Sequence, residues 1–100
     1  MNVLFLVILL LVPQKGHKSH SVSLAWQTTT CSDNCPDHYR VYRTSVSGSY
    51  TSVPYASTTA LSYQDAAVNA GQVLYYRVTA VNDAGESAPS NEVRAVVPRP

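Results

Sequence analysis

The chain has 100 residues, enough for one small domain, because a chain this short buries only roughly 60 to 68% of its unfolded surface and cannot support two cores. Hydrophobic residues make up 45% of it and charged residues 13%, which excludes a highly charged disordered segment. The formal net charge is +1, so nothing in the charge favours a nucleic-acid partner. Much of the polar remainder is Ser and Thr, and with seven Tyr this composition favours short β-strands over helices.

The chain opens with an unbroken apolar run, Val3–Val12. Such a run is typical of a secretory signal peptide, and it is shorter than the roughly 20 residues that cross a membrane. We therefore predict a leader over residues 1–18, a domain over residues 19–98, a secreted or cell-envelope location and no stable membrane span. Against a leader, no Lys or Arg precedes the run and no small-x-small cleavage site follows it. The alternative is that the run forms the first strand of the domain, because Val, Ile and Phe also favour strands.

Two cysteines, Cys31 and Cys35, lie in a turn-rich stretch and agree with export. In an oxidising compartment they are predicted to form a local disulfide, whose small ring would contribute roughly 2 kcal/mol. Free thiols are the alternative. A metal site is weaker still, because two thiolates and the nearby His38 do not complete a tetrahedral shell. No metal and no other cofactor is predicted.

From His20 onward, alternating side chains mark short strands separated by turns. The period of two is clearest in the longest segment, Val73–Asn82, and no helix has that period. Strands are predicted at Ser21–Trp26, His38–Arg43, Tyr50–Val53, Leu61–Asp65, Val73–Asn82 and Ser87–Val97. The predicted core consists of Val22, Leu24, Trp26, Tyr39, Val41, Tyr63, Leu74, Tyr76, Val78 and Ala80. Six strands without a helical segment indicate an all-β sandwich.

Several short blocks of sequence keep a characteristic order and spacing. They are VSLAW (22–26), YRVYR (39–43), AGQ (70–72), YRVTAVN (76–82) and GESAPSNE (85–92). In this arrangement the chain resembles the fibronectin type III family, in the form found in secreted bacterial proteins. The resemblance covers residues 19–98. It implies an immunoglobulin-like Greek-key β-sandwich of two antiparallel sheets, with a first strand that is either missing or formed by the N-terminal apolar run. The resemblance also implies strand bounds of Ser21–Gln27, Asp37–Thr44 and, as one continuous last strand, Glu86–Val97.

The chain departs from the family pattern in two ways. The family has a tyrosine at the start of its sixth strand whose hydroxyl ties back to the preceding loop, and here that position is Leu74. This hydrogen bond is therefore predicted to be absent unless Tyr75 or Tyr76 replaces it. If the leader is cleaved, the first strand would be missing, and the exposed sheet edge would favour self-association through an edge strand.

No pattern of catalytic residues is found. The acidic residues lie beside predicted turns, where carboxylates bind nearby backbone groups, so they are predicted to cap turns: Asp33, Asp37, Asp65, Asp83 and Glu86. His17 and His20 lie at the end of the predicted leader and just after it, and both are predicted to be solvated. The chain is therefore predicted not to be an enzyme and to have no catalytic residue.

Tyrosine and arginine side chains on neighbouring strands form the candidate interaction surface. By alternation, Arg40 and Tyr42 on one strand and Tyr75 and Arg77 on another point away from the core. Such a face would stack on sugar rings or bind a protein. Alternatively, the same residues only stabilise the sheet by cross-strand pairing. The resemblance implies a non-catalytic secreted module for adhesion, spacing or protein/carbohydrate interaction. The competing interpretation is an accessory module or fragment of a larger extracellular enzyme such as a glycoside hydrolase.

Overall fold

The computed structural model describes residues 5–11, 20–27 and 35–98. Every regular element in these ranges is a β-strand: β1 Phe5–Leu11, β2 His20–Gln27, β3 His38–Thr44, β4 Ala56–Thr58, β5 Ser62–Val68, β6 Val73–Asn82, β7 Gly85–Glu86 and β8 Val93–Val96. Within these ranges no helix is long and apolar enough to span a membrane.

The strands form two sheets, both antiparallel. The smaller sheet has the order β1-β2-β5, and the larger has the order β4-β3-β6-β7, with β8 also paired to β6. Each sheet turns one face inward, and the two inner faces pack together, as alternating strands require. The prediction of an all-β two-sheet sandwich is confirmed.

One hydrophobic cluster fills the space between the sheets. Its members come from both sheets and are almost fully buried: Val22, Leu24, Trp26, Tyr39, Val41, Val68, Leu74, Tyr76, Val78, Ala80, Ala95 and Val97. The rings of Trp26 and Tyr39 meet edge to face across the sheets, with 5.7 Å between ring centroids. Of the ten residues predicted as core, nine lie in this cluster, and Tyr63 is partly buried and packs against it.

The N-terminal apolar run supplies the first strand of the smaller sheet. Strand β1 pairs with β2 from Phe5 opposite Gln27 to Leu11 opposite Val22, with a register shift between Ile8 and Leu10. Of the two alternatives for the first strand, the structure therefore has the one in which the apolar run forms it. Cleavage at export would remove the same residues, and the leader over residues 1–18 stays a prediction.

The prediction of a strand at Tyr50–Val53 is wrong, because the fourth strand is β4, which pairs with β3 through Tyr39 opposite Thr58. In the predicted segment the Thr51 hydroxyl donates to the Val53 carbonyl at 3.0 Å. Such local side-chain bonds compete with a sheet ladder, and Pro54 has no N–H to donate to one.

The prediction of one continuous last strand over Glu86–Val97 is also wrong, because β7 and β8 are separate. Between them two serines bind the edge of β6. The amide of Ala80 donates to Ser87 Oγ at 2.9 Å, and the Ser87 amide donates back to the Ala80 carbonyl at 2.8 Å. Ser90 repeats this exchange with Val78 at 2.9 and 2.8 Å. We call these two exchanges the serine clasp, and it satisfies buried β6 backbone groups that a strand would otherwise satisfy.

Candidate interaction site and its polar networks

A buried carboxylate links the two sheets. Asp65 on β5 is 1% exposed. Its Oδ2 accepts hydrogen bonds from Arg43 at 2.9 Å and from the Tyr76 hydroxyl at 2.7 Å. Its Oδ1 accepts from the Tyr55 hydroxyl at 2.8 Å and from the Ala67 amide at 3.0 Å. Because Arg43 and Tyr76 belong to the larger sheet, these groups, the Asp65 network, tie one sheet to the other.

The donors around Asp65 keep it ionised. Desolvation is the largest single effect and would raise the pKa, but hydrogen bonds from Tyr76, Tyr55, Arg43 and the Ala67 amide together hold the pKa of Asp65 below its ordinary value. Desolvation and the hydrogen bond to Asp65 raise the pKa of Tyr55 to about 12. The bond from the Ala67 amide is the backbone cap predicted for Asp65, whereas its three side-chain donors were not predicted.

Tyr76 forms the hydrogen bond to the preceding segment that the family's tyrosine makes and that Leu74 cannot make. Its hydroxyl is bound to Asp65 in the preceding strand, and its side chain is 0% exposed. The sequence left this substitution open between Tyr75 and Tyr76. The structure selects Tyr76 because the inward side of β6 carries it, whereas Tyr75 points outward.

The candidate interaction surface is only partly assembled as predicted. Strand pairing sets Tyr42 directly opposite Arg77, and Arg40 opposite Thr79. Tyr75 lies further along β6, opposite Thr44 on one side and Arg94 on the other. The structure therefore brings Arg40, Tyr42 and Arg77 together and sets Tyr75 apart.

Glu86 organises the outer face beside these residues. Its carboxylate accepts from the Tyr42 hydroxyl, from the Thr79 hydroxyl at 2.5 Å and from Arg40 at 3.4 Å. Desolvation would raise the pKa of Glu86, but these donors and the Arg40 charge lower it overall. Tyr42 is only 7% exposed, so its ring is no flat platform for stacking, and the predicted surface is revised at that residue. Glu86 had been predicted as a turn cap, and its partners are instead on β3 and β6.

A second exposed carboxylate fixes the loops below this face. Glu92 accepts from the Ser47 hydroxyl at 2.5 Å, the Gly48 amide at 2.9 Å and the Tyr50 hydroxyl at 2.8 Å, and these groups form the Glu92 network. The three donors lower the pKa of Glu92. Gly48 has a φ of +77°, a backbone conformation that a side chain would strain. Tyr50 in turn lies under the guanidinium of Arg77, whose Cζ is 4.1 Å from the ring centroid.

These contacts surround a surface cleft of about 260 Å³. Its lining is mostly hydroxyl-bearing and includes one arginine and one carboxylate: Tyr42, Thr51, Ser52, Arg77, Thr79, Glu86, Ser87 and Pro89. Sequence analysis found Tyr42 and Arg77 by alternation. It missed Thr51 and Ser52, which lie in a loop, and the role of Glu86, which the pairing of β7 with β6 places beside the cleft.

Several predicted ligands and bonds lie outside the described residues. Among residues 5–11, 20–27 and 35–98, no group of three His, Cys, Asp or Glu side chains is arranged to hold a metal ion. Cys31, Asp33 and His17 are not described, so the disulfide between Cys31 and Cys35 stays a prediction. Asp37 is described and exposed, immediately before β3.

Comparisons with known proteins define the fold class and the family. No family model matches the sequence, and no curated protein matches it significantly. Among solved structures, a human fibronectin type III domain superimposes with a TM-score of 0.77 at 17% identity, over 98% of this chain and 79% of that one. An Fn3-like protein from Clostridium thermocellum is 30% identical, with a TM-score of 0.62 over 79% of this chain and 78% of that one. The fold is an immunoglobulin-like β-sandwich. Within that class the chain belongs to the fibronectin type III family.

Two further similar structures are parts of much longer chains. The twitchin kinase region from C. elegans matches with a TM-score of 0.75 at 20% identity, over 94% of this chain and 16% of its own. A beta-1,2-glucanase from Parabacteroides distasonis matches with a TM-score of 0.66 at 25% identity, over 93% of this chain and 13% of its own. Since human and nematode domains match as well as bacterial ones, the bacterial type stays a prediction.

Proposed function

We propose that this domain is a non-catalytic module of a secreted or cell-envelope protein and that it binds a partner through the face formed by β3 and β6. The observation that carries the proposal is the cleft on this face. Its described lining has a single carboxylate, Glu86, which is already occupied by Tyr42, Thr79 and Arg40. Glycoside hydrolysis uses a pair of carboxyl groups, and acid–base catalysis needs a group free to exchange its proton. The cleft is therefore suited to binding rather than to bond cleavage.

The other bonded carboxylates near this end of the domain support the same proposal. Asp65 is enclosed by four donors and reaches no solvent-filled space. Glu92 is exposed but is held by the loop that carries Ser47, Gly48 and Tyr50. Each of the two fixes neighbouring structure, and Glu92 holds the ring on which Arg77 rests. Glu92 thus helps to position Arg77 in the cleft, whereas Asp65 ties the two sheets together.

The proposal is tested by mixing the full chain with insoluble polysaccharides of differing charge. We expect the domain to sediment with at least one of them and to release no reducing ends above a buffer blank. Thr51→Trp, which fills the cleft from an exposed loop position, is expected to abolish sedimentation. Thr59→Trp is the matched control at another exposed turn and is expected to behave as the wild type. Release of reducing ends, or sedimentation unaffected by Thr51→Trp, would contradict the proposal.

Export and the disulfide are part of the proposal. They are supported by the apolar run Val3–Val12 and by the spacing of Cys31 and Cys35. The test is intact mass after alkylation of protein recovered from a secreting host. A mass that lacks about the first 18 residues, with neither cysteine alkylated, supports cleavage and the disulfide. A full-length mass with two alkylated thiols contradicts both and leaves β1 as a permanent strand.

A second candidate is an accessory module of a larger extracellular enzyme. It is favoured by the glucanase structure, in which a matching region makes up a minor part of the chain. Mapping of the transcript tests it. A continuous reading frame that joins this domain to a catalytic domain supports this candidate, and a separate transcript with its own stop codon contradicts it.

A further inference from the structure

Arg77 is the cation of the cleft that forms no ion pair among the described residues, although its charge also helps to lower the pKa of Glu92. Ion pairs join Arg40 to Glu86 and Arg43 to Asp65, but none of those among the described residues includes Arg77. The guanidinium of Arg77 stacks on the Tyr50 ring. That stack holds the guanidinium in place by a cation–π attraction to the Tyr50 ring. It does not use the N–H donors of Arg77 in hydrogen bonds.

One donor of Arg77 also lacks an acceptor. Its Nε is buried and has no acceptor, which for a charged group is costly and uncommon in folded proteins. The neighbouring acceptors are committed: Glu86 binds Tyr42, Thr79 and Arg40, and Glu92 binds the loop that carries Tyr50. Because Arg77 lines the cleft, a ligand with a negatively charged acceptor would give this guanidinium a partner there.

The other residues that line the cleft indicate which groups the ligand carries besides its negative charge. Most of the hydroxyls already donate within the protein, as Tyr42 and Thr79 do to Glu86 and Ser87 does to the Ala88 carbonyl. Ser52 lines the cleft from an exposed loop, beside Thr51, whose oxygen can still accept. The cleft of about 260 Å³ is smaller than the range of about 300–1,000 Å³ of drug-sized sites. It therefore suits one small unit that carries both a carboxylate and hydroxyls.

We propose that the cleft binds the uronic acid unit of an acidic polysaccharide, with its carboxylate on Arg77 and its hydroxyls at Ser52 and Thr51. The inference rests on the proposed function and narrows its partner to acidic carbohydrate. Arg40 balances Glu86, so the fixed carboxylate of the cleft does not repel the ligand. Arginine matches a carboxylate with two parallel bonds, which lysine cannot do.

The test is titration of the ¹⁵N-labelled domain with D-glucuronate, D-glucose and acetate, followed by amide chemical shifts. We expect glucuronate to move the amides of Ser52, Thr79 and Ser87 saturably. Glucose lacks the carboxylate and acetate lacks the hydroxyls, so each is expected to bind about tenfold more weakly or not at all.

Variants identify the residue responsible. Arg77→Gln is expected to weaken glucuronate binding about tenfold or more, and Arg77→Lys is expected to recover it only in part. Arg94→Gln is the matched control, because Arg94 lies exposed on β8, opposite Tyr75, and does not line the cleft. It is expected to leave the titration unchanged.

Unchanged binding in Arg77→Gln, or equal binding of glucose, would overturn the inference. Shifts confined to residues outside the cleft would overturn it as well. If glucuronate fails while the domain still sediments with a neutral polysaccharide in a Thr51-dependent manner, the ligand class is wrong and the proposed function stands. If sedimentation fails with every polysaccharide, the inference is overturned, and a protein partner is the form of the proposed function that stands.

Discussion

The Asp65 network and the Glu92 network use the same chemistry in opposite surroundings. In each, hydroxyl and amide donors converge on one carboxylate, and in each the pKa of the carboxylate is lowered. Asp65 lies at 1% exposure between the sheets and has an ion-pair partner, Arg43. Glu92 lies in an exposed segment and joins loops on the surface. The number of hydrogen bonds therefore does not determine how much each network contributes to stability. Burial does, because water replaces a lost hydrogen bond at an exposed site and cannot do so at a buried one.

Removal of the buried carboxylate is expected to have the largest effect. Asp65→Ala removes the ion-pair partner of the partly buried Arg43 and leaves the buried Tyr76 hydroxyl without its acceptor, and we expect the free energy of unfolding to fall by about 3–5 kcal/mol. Urea denaturation followed by Trp26 fluorescence measures this. Asp83→Ala, at an exposed turn, is the control and is expected to change stability by less than about 0.5 kcal/mol. A similar loss in both variants would contradict the comparison.

Acid tests the same buried group without a mutation. The pKa of Asp65 is lowered in the folded state, so its contribution is complete above the unfolded pKa of about 3.9 and is lost as the pH falls through the lower folded value. We expect the free energy of unfolding to drop steeply below about pH 4. Asp65→Asn is expected to flatten that drop, whereas Glu92→Gln is expected to alter it little. An unchanged acid profile in Asp65→Asn would show that other groups control it.

The serine clasp is expected to contribute less to the free energy of unfolding than the Asp65 network does. Ser90→Ala removes the acceptor of the Val78 amide, and Val78 is 0% exposed. An unpaired buried amide costs about 1–3 kcal/mol, and we expect thermal and urea unfolding to report a loss in that range. Ser57→Ala on β4 is the control, because Ser57 is exposed. A loss below about 0.5 kcal/mol in Ser90→Ala would mean that water replaces the hydroxyl.

The smallest effect is expected at Glu92. Glu92→Gln keeps the shape of the side chain but removes the charge that faces Ser47, Gly48 and Tyr50, and we expect a loss of about 0.2–1 kcal/mol. Because the site is exposed, added salt is expected to shrink the difference from the wild type. Urea unfolding at low and high salt measures it. A loss as large as that of Asp65→Ala would remove the distinction between the two networks.

The sequence predicts those parts of this fold that depend on local alternation. Val22, Leu24 and Trp26, and likewise Leu74 to Ala80 on β6, show the inward face directly, because a strand repeats every two residues. The pairing of Asp65 with Arg43 joins positions 22 apart, and that of Glu86 with Tyr42 joins positions 44 apart. No local pattern encodes such distances.

The strand predicted at Tyr50–Val53 failed for a related reason. Tyr50 favours a strand by its residue type, but here it makes contacts with residues distant in the sequence. Its ring lies beneath Arg77, and its hydroxyl donates to Glu92. Of the candidate surface, alternation predicted that Tyr42 and Arg77 share a face. It could not show that Glu86 covers Tyr42, since the turn that carries Glu86 is placed by the pairing of β6 with β7.

The serine clasp has a consequence for hydrogen–deuterium exchange. Between Val73 and Asn82, the edge of β6 is bonded first by β8, then by Ser90 and Ser87, and finally by β7. The amides of Val78 and Ala80 donate to hydroxyls, and their carbonyls accept from the amides of the same serines. Exchange with solvent therefore requires these bonds to open. Along β6 the protection pattern would be that of an uninterrupted strand pair, although the neighbouring chain leaves the ladder for six residues between Glu86 and Val93.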